Sequence, residues 1–213
     1  VSPSVIERWG IQNYNSSAPE ITIKELIQNA FDAIKGAQIN NELAPDEGRI
    51  EVEVNREDRT ITVEDNGIGM TADIINDNFL QVGESFKGNL PLEQQSGGLG
   101  MAKLVFLFNP DWTEVTTVKD GIRSVIKTTP RDIALSMESD FSIPIQQFKT
   151  DAPNGTKVVT HFPEHAMIDG EEKRVYFPII SLGREEGASL EDSSVPRMDR
   201  DSWTYVDFLM EPL

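Results

Sequence analysis

Three polar residues, Glu25, Asn29 and Asp32, share one stripe of a predicted helix and could act together on a ligand. Positions i, i+4 and i+7 lie on the same side of a helix, beside its apolar face. An asparagine oxygen suits magnesium, and a carboxylate one turn away can serve as the base for an attacking water molecule. A plainer interpretation stays open, because Thr22-x-x-Glu25 is also the pattern of a capping box that only secures a helix start.

A second element is the run DNGIGM over residues 65–70, which follows a predicted strand. An ionised aspartate is a hydrogen-bond acceptor, so Asp65 suits an exocyclic amino group such as that of adenine. The glycines Gly67 and Gly69 permit close approach of the backbone and positive φ angles. Taken by itself, the run is also compatible with an ordinary Asp-Gly turn.

A third element is the run SGGLGM over residues 96–101, which leads directly into a predicted helix. Backbone amides at a helix N-terminus bind anions, and glycines clear the approach to them. Lys87 and Lys103 are candidate charge partners for phosphates. The run is not a P-loop, because GxxxxGK[ST] occurs nowhere in the chain.

The charge of the chain restricts its partners. Asp and Glu number 36 against 19 Lys and Arg, for a formal net charge of −17 over 213 residues. Direct nucleic-acid binding is therefore not expected, because phosphate backbones need neutralising cations. The chain has no cysteine, no apolar run of membrane-spanning length and no recognisable signal peptide, so we expect a cytoplasmic protein without disulfides.

Hydrophobic periodicity predicts a helix from Thr22 to about Gly36, after a short helix over residues 4–9 and a loop over 11–20. Further helices are predicted over residues 71–79 and 99–108, with a mobile loop between them. Strands are predicted over residues 49–55, 60–64, 112–119, 122–128 and 156–162, with a weaker strand within 141–149. The antiparallel hairpins and the helices together predict an α/β (α+β) two-layer sandwich.

Four motifs in this order resemble the GHKL ATPase superfamily: ELIQNAFDA (25–33), DNGIGM (65–70), SGGLGM (96–101) and NGT (154–156). That superfamily includes DNA gyrase B subunits, heat-shock chaperones of the ninety-kilodalton class, sensor histidine kinases and MutL. The resemblance runs from about residue 20 to about residue 162. It implies the Bergerat ATP-binding fold, with a mixed, largely antiparallel sheet and helices on one face.

The resemblance also implies individual roles. Asn29 would coordinate the magnesium ion that bridges the phosphates of ATP, and Glu25 would be the general base for hydrolysis. Asp65 would accept a hydrogen bond from the adenine amino group, and Thr156 would join the water network around it. The remaining predicted nucleotide-contacting residues are Asp32, Gly67, Ile68, Gly69, Met70, Lys87, Ser96, Gly97, Gly98, Leu99, Gly100 and Met101.

The branch of the superfamily is less strongly indicated than the superfamily itself. The pattern E-x-x-x-N-x-x-D-A at residues 25–33 is similar to the hydrolysing branches, which favours an ATPase. The lid sequence SGGLGMAKL is similar to that of kinases, so a histidine kinase-like phosphotransferase is the alternative. Neither His161 nor His165 lies on a helix that precedes the domain, where a phospho-acceptor is expected. A module that keeps the fold but has lost catalysis is a third possibility.

The resemblance implies a nucleotide-operated clamp within a larger protein, with ATP and ADP as ligands. We expect nucleotide-dependent homodimers and further domains or protein clients, with no membrane partner. The predicted ATP-binding domain covers residues 1–165. Residues 166–213 are predicted to be a C-terminal extension or the start of a linker, with an acidic, polar stretch over 183–202.

Overall fold

A computed structural model describes residues 18–80, 102–168, 171–177 and 202–204. Its main feature is a seven-stranded sheet in the order β5-β4-β3-β6-β2-β1-β9. The strands, including those of a separate β7–β8 hairpin, are β1 (Ile50–Asn55), β2 (Thr60–Asp65), β3 (Trp112–Lys119), β4 (Ile122–Thr128), β5 (Gln146–Lys149), β6 (Gly155–His161), β7 (His165–Ile168), β8 (Glu171–Arg174) and β9 (Ser202–Thr204). Every pairing among them is antiparallel, so the mixed component of the predicted sheet is not found in the described part of the chain.

The helices cover one face of this sheet. They are α1 (Ala18–Ile39), α2 (Ala72–Ile74, continued by a π-helical turn over Ile75–Phe79), α3 (Ala102–Phe108) and α4 (Pro130–Glu138). Alternate strand residues such as Val52, Val54, Ile61 and Val63 are buried, while the residues between them are half-buried or exposed. This period of two is that of a strand with one covered face, and it confirms the predicted two-layer sandwich.

Helix α1 differs from its prediction at both ends. Its described part already includes Ala18 to Ile21, before the predicted start at Thr22, and it continues through Gly36 to Ile39. The prediction that Thr22 caps the helix is therefore wrong, as is the loop predicted for residues 18–20. The chain leaves the helix at Asn41, whose φ of 58° lies in the left-handed region.

The predicted hairpins are confirmed. Strand β1 pairs with β2, and β3 pairs with β4 through Asp120 and Gly121, whose φ angles of 51° and 75° fit a tight two-residue turn. Helix α4 was missed, although Thr129 and Asp132 form a capping box around Pro130 that is readable in the sequence.

Some predictions lie outside the described residues. These are the short helix over 4–9, most of the loop over 11–20, and the loop over 81–98 with the start of the following helix. The predicted domain boundary falls within β7, and the division into residues 1–165 and 166–213 stays a prediction. Among the described helices, none has the length and apolarity that crossing a membrane requires.

Candidate functional site

Asp65 lies at the end of β2, where the chain leaves the sheet. Its Oδ1 accepts a hydrogen bond from the backbone N–H of Gly67 at 2.8 Å, and the backbone N–H of Thr156 donates to the same carboxyl group. Burial raises the pKa of Asp65 to about 7, a rise that these two hydrogen bonds oppose. The motif thus holds a buried carboxyl group with its orientation fixed by backbone donors.

Gly67 brings the loop that carries Asp65 into direct contact with helix α1. A Cβ at Gly67 would overlap the backbone of Ala33 and Ile34, so only glycine allows this approach. The next residue strengthens the contact, because the N–H of Ile68 donates to the carbonyl of Ala33 at 3.0 Å. Asp65 is consequently fixed relative to the helix that carries Glu25 and Asn29.

Gly69 and Gly155 allow the loop that follows Asp65 to pack closely against strands β3 and β6. Gly69 has a φ of 67°, and a Cβ there would overlap the carbonyl oxygen of Val118 on β3. A Cβ at Gly155, at the start of β6, would overlap the carbonyl oxygen of Asp65. The glycines of the DNGIGM and NGT motifs therefore meet around Asp65 because the backbones there are too close for side chains.

Thr117 is a site residue that the sequence analysis missed. Its buried hydroxyl accepts from the N–H of Met70 at 2.9 Å, donates to the carbonyl of Gly155 at 3.0 Å, and lies 3.0 Å from the hydroxyl of Thr156. A hydroxyl has one hydrogen, and Thr117 gives it to Gly155. The hydrogen between the two threonines must then come from Thr156, whose oxygen is left as an acceptor. The sequence did contain a signal for this residue. Thr117 lies two residues after Val115 in an alternating strand, so it faces the same buried side.

The predicted residues of α1 differ in their surroundings. Glu25 is half-buried, and this burial raises its pKa above the ordinary value. Asn29 is exposed, so its amide can take an added ligand. Asp32 is also exposed, and its Oδ1 accepts from Nε2 of Gln28 at 3.2 Å. Within the described residues, no hydrogen bond or ion pair joins Asp32 to the loop around Asp65, and its role stays a prediction.

An ion-pair cluster supports the turn before β6. Nζ of Lys119 lies 3.1 Å and 2.9 Å from the two carboxylate oxygens of Glu42, and Nδ2 of Asn154 donates to Glu42 at 3.1 Å. The Lys119 ammonium group holds the pKa of Glu42 below its usual range. Asn154 directly precedes Gly155, which lies against the backbone of Asp65. The cluster therefore connects the segment after α1 to the turn beside Asp65. Sequence spacing alone gave no sign of this link.

The predicted lid, which comprises the loop over residues 81–98 and the SGGLGM run, lies outside the described residues. This applies to Lys87, Ser96, Gly97, Gly98, Leu99, Gly100 and Met101, and to the side chain of Lys103. Within the ranges that are described, no group of three or more His, Cys, Asp or Glu side chains could hold a metal ion. A magnesium ion at Asn29 would therefore rely on phosphates and water for most of its ligands, which is its usual mode of binding.

The two histidines lie on strands. His161 is on β6, with its ring stacked on Trp112 and its Nδ1 3.0 Å from Oδ2 of Asp111. His165 begins β7. Neither lies on a helix.

Comparison with known proteins agrees with this geometry. The sequence model of the histidine kinase-, DNA gyrase B-, and HSP90-like ATPase family matches residues 16–158. The chaperone protein HtpG of Rhodococcus jostii (strain RHA1) is 30% identical over 154 residues, covering 68% of this chain and 24% of that protein. HtpG of Alkalilimnicola ehrlichii is 31% identical over 162 residues, covering 70% of this chain and 24% of that protein. The chain thus spans about a quarter of the length of these curated relatives.

Proposed function

Since this chain belongs to the family of histidine kinase-, DNA gyrase B- and HSP90-like ATPases, we propose that its ATP-binding domain holds Mg-ATP along helix α1, with the adenine at Asp65. The observation that carries this assignment is the orientation of the Asp65 carboxyl group by the N–H groups of Gly67 and Thr156. An ionised carboxylate has about four acceptor positions. Two are used by the backbone, which leaves acceptors for an amino group of a base.

The dimensions of α1 support this orientation of the nucleotide. Ala33 contacts the loop at Gly67, and Glu25 lies eight residues earlier on the helix. At about 1.5 Å per residue, this separation is about 12 Å along the axis. A nucleotide extended along α1 from Asp65 would have its phosphates near Asn29 and its terminal phosphate near Glu25.

The residues fit a magnesium ion that binds together with the nucleotide. The exposed amide of Asn29 supplies one neutral oxygen, and magnesium commonly takes phosphate and water oxygens for the rest. When bound, the ion would neutralise charge on the β- and γ-phosphates. The chain's net charge of −17 makes such local neutralisation necessary for an anionic ligand.

Glu25 is the proposed general base for hydrolysis. Its carboxylate takes a proton from water as the water oxygen forms a bond to the γ-phosphorus. The bond from that phosphorus to the bridging oxygen breaks, which releases ADP and phosphate. Partial burial raises the pKa of Glu25 and so makes its carboxylate a stronger proton acceptor than an exposed one.

We further propose that nucleotide binding operates a conformational switch in a larger protein that dimerises and acts on protein clients. The support is the similarity to HtpG proteins, which are named as chaperones and are about four times longer than the aligned region. A cytoplasmic location also remains a proposal.

Calorimetric titration with Mg-ATP, combined with a hydrolysis assay, tests the assignment. Asp65→Asn keeps the shape of the side chain but replaces an acceptor with an amide, and it should weaken binding at least tenfold. Glu25→Gln should retain binding and lose hydrolysis. Normal ATP affinity in Asp65→Asn would show that the adenine lies elsewhere, and unchanged hydrolysis in Glu25→Gln would remove Glu25 as the base. Binding without turnover in the native chain would indicate a module that has lost catalysis.

A further inference from the structure

The hydroxyl group of Thr22 has no partner in the described structure. Thr22 has no solvent exposure, and its Oγ1 makes no hydrogen bond. A threonine inside a helix commonly donates to the carbonyl four residues earlier, but the structure shows no such bond to Ala18. Because α1 already includes Ala18, four residues before Thr22, Thr22 does not cap the helix either. Buried polar groups without partners are rare, so this hydroxyl requires an explanation.

Glu25 is the nearest group on the helix that could use the hydroxyl. Side chains three residues apart on a helix are neighbours, with Cβ atoms about 5–6 Å apart. Long side chains in helices also point back toward the N-terminus, so the carboxylate of Glu25 extends over the turn that contains Thr22. In the described structure the Glu25 side chain has no hydrogen bond or ion pair of its own.

Helix geometry directs Thr22 toward the nucleotide side of α1. At about 100° per residue, Thr22 lies within about 20° of both Asn29 and Ala33 around the helix axis. Ala33 is the residue whose backbone contacts the loop at Gly67. Thr22 therefore continues the row that faces the loop, about 10 Å beyond Asn29 at the end where the proposed base lies.

We propose that Thr22 is a positioning residue for Glu25, whose carboxylate accepts a hydrogen bond from the Thr22 hydroxyl when it turns toward the terminal phosphate of ATP. The inference rests on the proposed ATPase function. One carboxylate oxygen is held by Thr22, and the other takes the proton from the attacking water. The hydroxyl has a single hydrogen, so it fixes the orientation of the base without competing for that proton.

Thr22→Val tests this inference, because valine matches the shape of threonine and replaces its hydroxyl with a methyl group. We expect at least a tenfold lower rate of single-turnover hydrolysis, measured with the protein in excess over Mg-ATP. Affinity for a non-hydrolysable ATP analogue should stay within about twofold, since the lost hydrogen bond is not to the nucleotide. Thr22→Ser keeps the hydroxyl and should restore most of the rate.

The pH dependence separates positioning from a purely structural role. A hydrogen bond to a carboxylate favours its ionised form. The acidic limb of the rate profile should therefore move to higher pH in Thr22→Val and return in Thr22→Ser. Thr113→Val is the matched control: it removes a buried hydroxyl that donates to the carbonyl of Phe106 at 2.8 Å, far along the chain from Glu25. It should lower stability without moving the profile.

The outcomes distinguish this inference from the function on which it rests. A native rate and profile in Thr22→Val, with Glu25→Gln inactive, would overturn the role of Thr22 alone. A loss in Thr22→Val that serine does not rescue would also overturn it, in favour of packing. Native hydrolysis in Glu25→Gln would instead refute the proposed mechanism. Should the native chain turn over too slowly to measure, ADP with aluminium fluoride replaces the assay, and equal affinity in the native chain and Thr22→Val would contradict the inference.

Discussion

The backbone N–H of Ile68 donates to the carbonyl of Ala33 at 3.0 Å, which fastens the loop carrying Asp65 to the helix carrying Asn29 and Glu25. Two motifs that are more than thirty residues apart in the sequence are therefore in direct contact. The close contact depends on Gly67, because a Cβ there would overlap the backbone of α1. The distance between the proposed adenine and magnesium sites is set by this contact.

Gly67→Ala should consequently damage both the fold and the site. Displacing the loop from α1 is expected to cost about 1–3 kcal/mol, as for other overpacked positions, and to weaken ATP binding. Urea unfolding and calorimetric titration measure the two effects. Gly36→Ala is a matched control on α1, since the nearest atoms to a Cβ there belong to the Ile68 side chain, at an ordinary contact distance of 3.7 Å. A helix-interior alanine there should stabilise the domain by about 0.5–1 kcal/mol, and equal behaviour of the two variants would contradict the assignment.

Thr117 offers a second test, because one hydroxyl joins three segments of the site. Thr117→Val removes the acceptor of the Met70 N–H and the donor to the Gly155 carbonyl. We expect a loss of about 1–3 kcal/mol in the free energy of unfolding and weaker ATP binding, because Thr156 loses its fixed orientation. Both are measurable by denaturation and titration.

Two control variants show whether the effect comes from the Thr117 hydroxyl. Thr117→Ser keeps the hydroxyl and should behave much like the native protein. Thr128→Val, at another buried threonine of the same sheet, removes only a long 3.4 Å bond to the carbonyl of Thr129. It should leave ATP affinity unchanged. Native affinity in Thr117→Val would show that its hydroxyl supports the fold and not the ligand.

The sheet was predictable because its strands alternate strictly. Val52 and Val54 on β1, and Ile61 and Val63 on β2, have the period of two that one buried face imposes. Asp120-Gly121 identified a hairpin because both residues tolerate positive φ. Helix α4 was missed because it is short and only Ile133 of its nine residues is fully buried, so its apolar pattern is brief.

The site was only partly predictable. Asp65 and its glycines are local in sequence, so residue type alone indicated their chemistry. The role of Thr117 depends on the registers of β3 and β6, which bring it opposite Thr156. The Glu42–Lys119 pair joins residues 77 positions apart, and no local pattern encodes that contact. Thr22 was misread because the pattern of a capping box is the same at the start of a helix and inside one.

The titration of Asp65 predicts how stability depends on pH. Burial raises its folded-state pKa from an ordinary 3.8 to about 7, so the folded chain binds the proton more tightly than the unfolded chain. This contribution to stability is fully present below about pH 4 and is lost as the pH rises to about 7. At roughly 1.4 kcal/mol per pKa unit, the loss amounts to a few kcal/mol. Without nucleotide, the contribution of Asp65 should therefore make the domain less stable at pH 8 than at pH 5.5.

Asp65→Asn isolates this contribution, because asparagine does not ionise. Its free energy of unfolding, measured by urea denaturation from pH 5 to pH 8, should rise relative to that of the native chain as the pH increases. Asp120→Asn is the control, since Asp120 is exposed and asparagine accepts its φ of 51°. A constant difference between Asp65→Asn and the native chain across this range would show that Asp65 is already ionised at pH 5. Such a result would mean that the donors from Gly67 and Thr156 outweigh the burial of the carboxyl group.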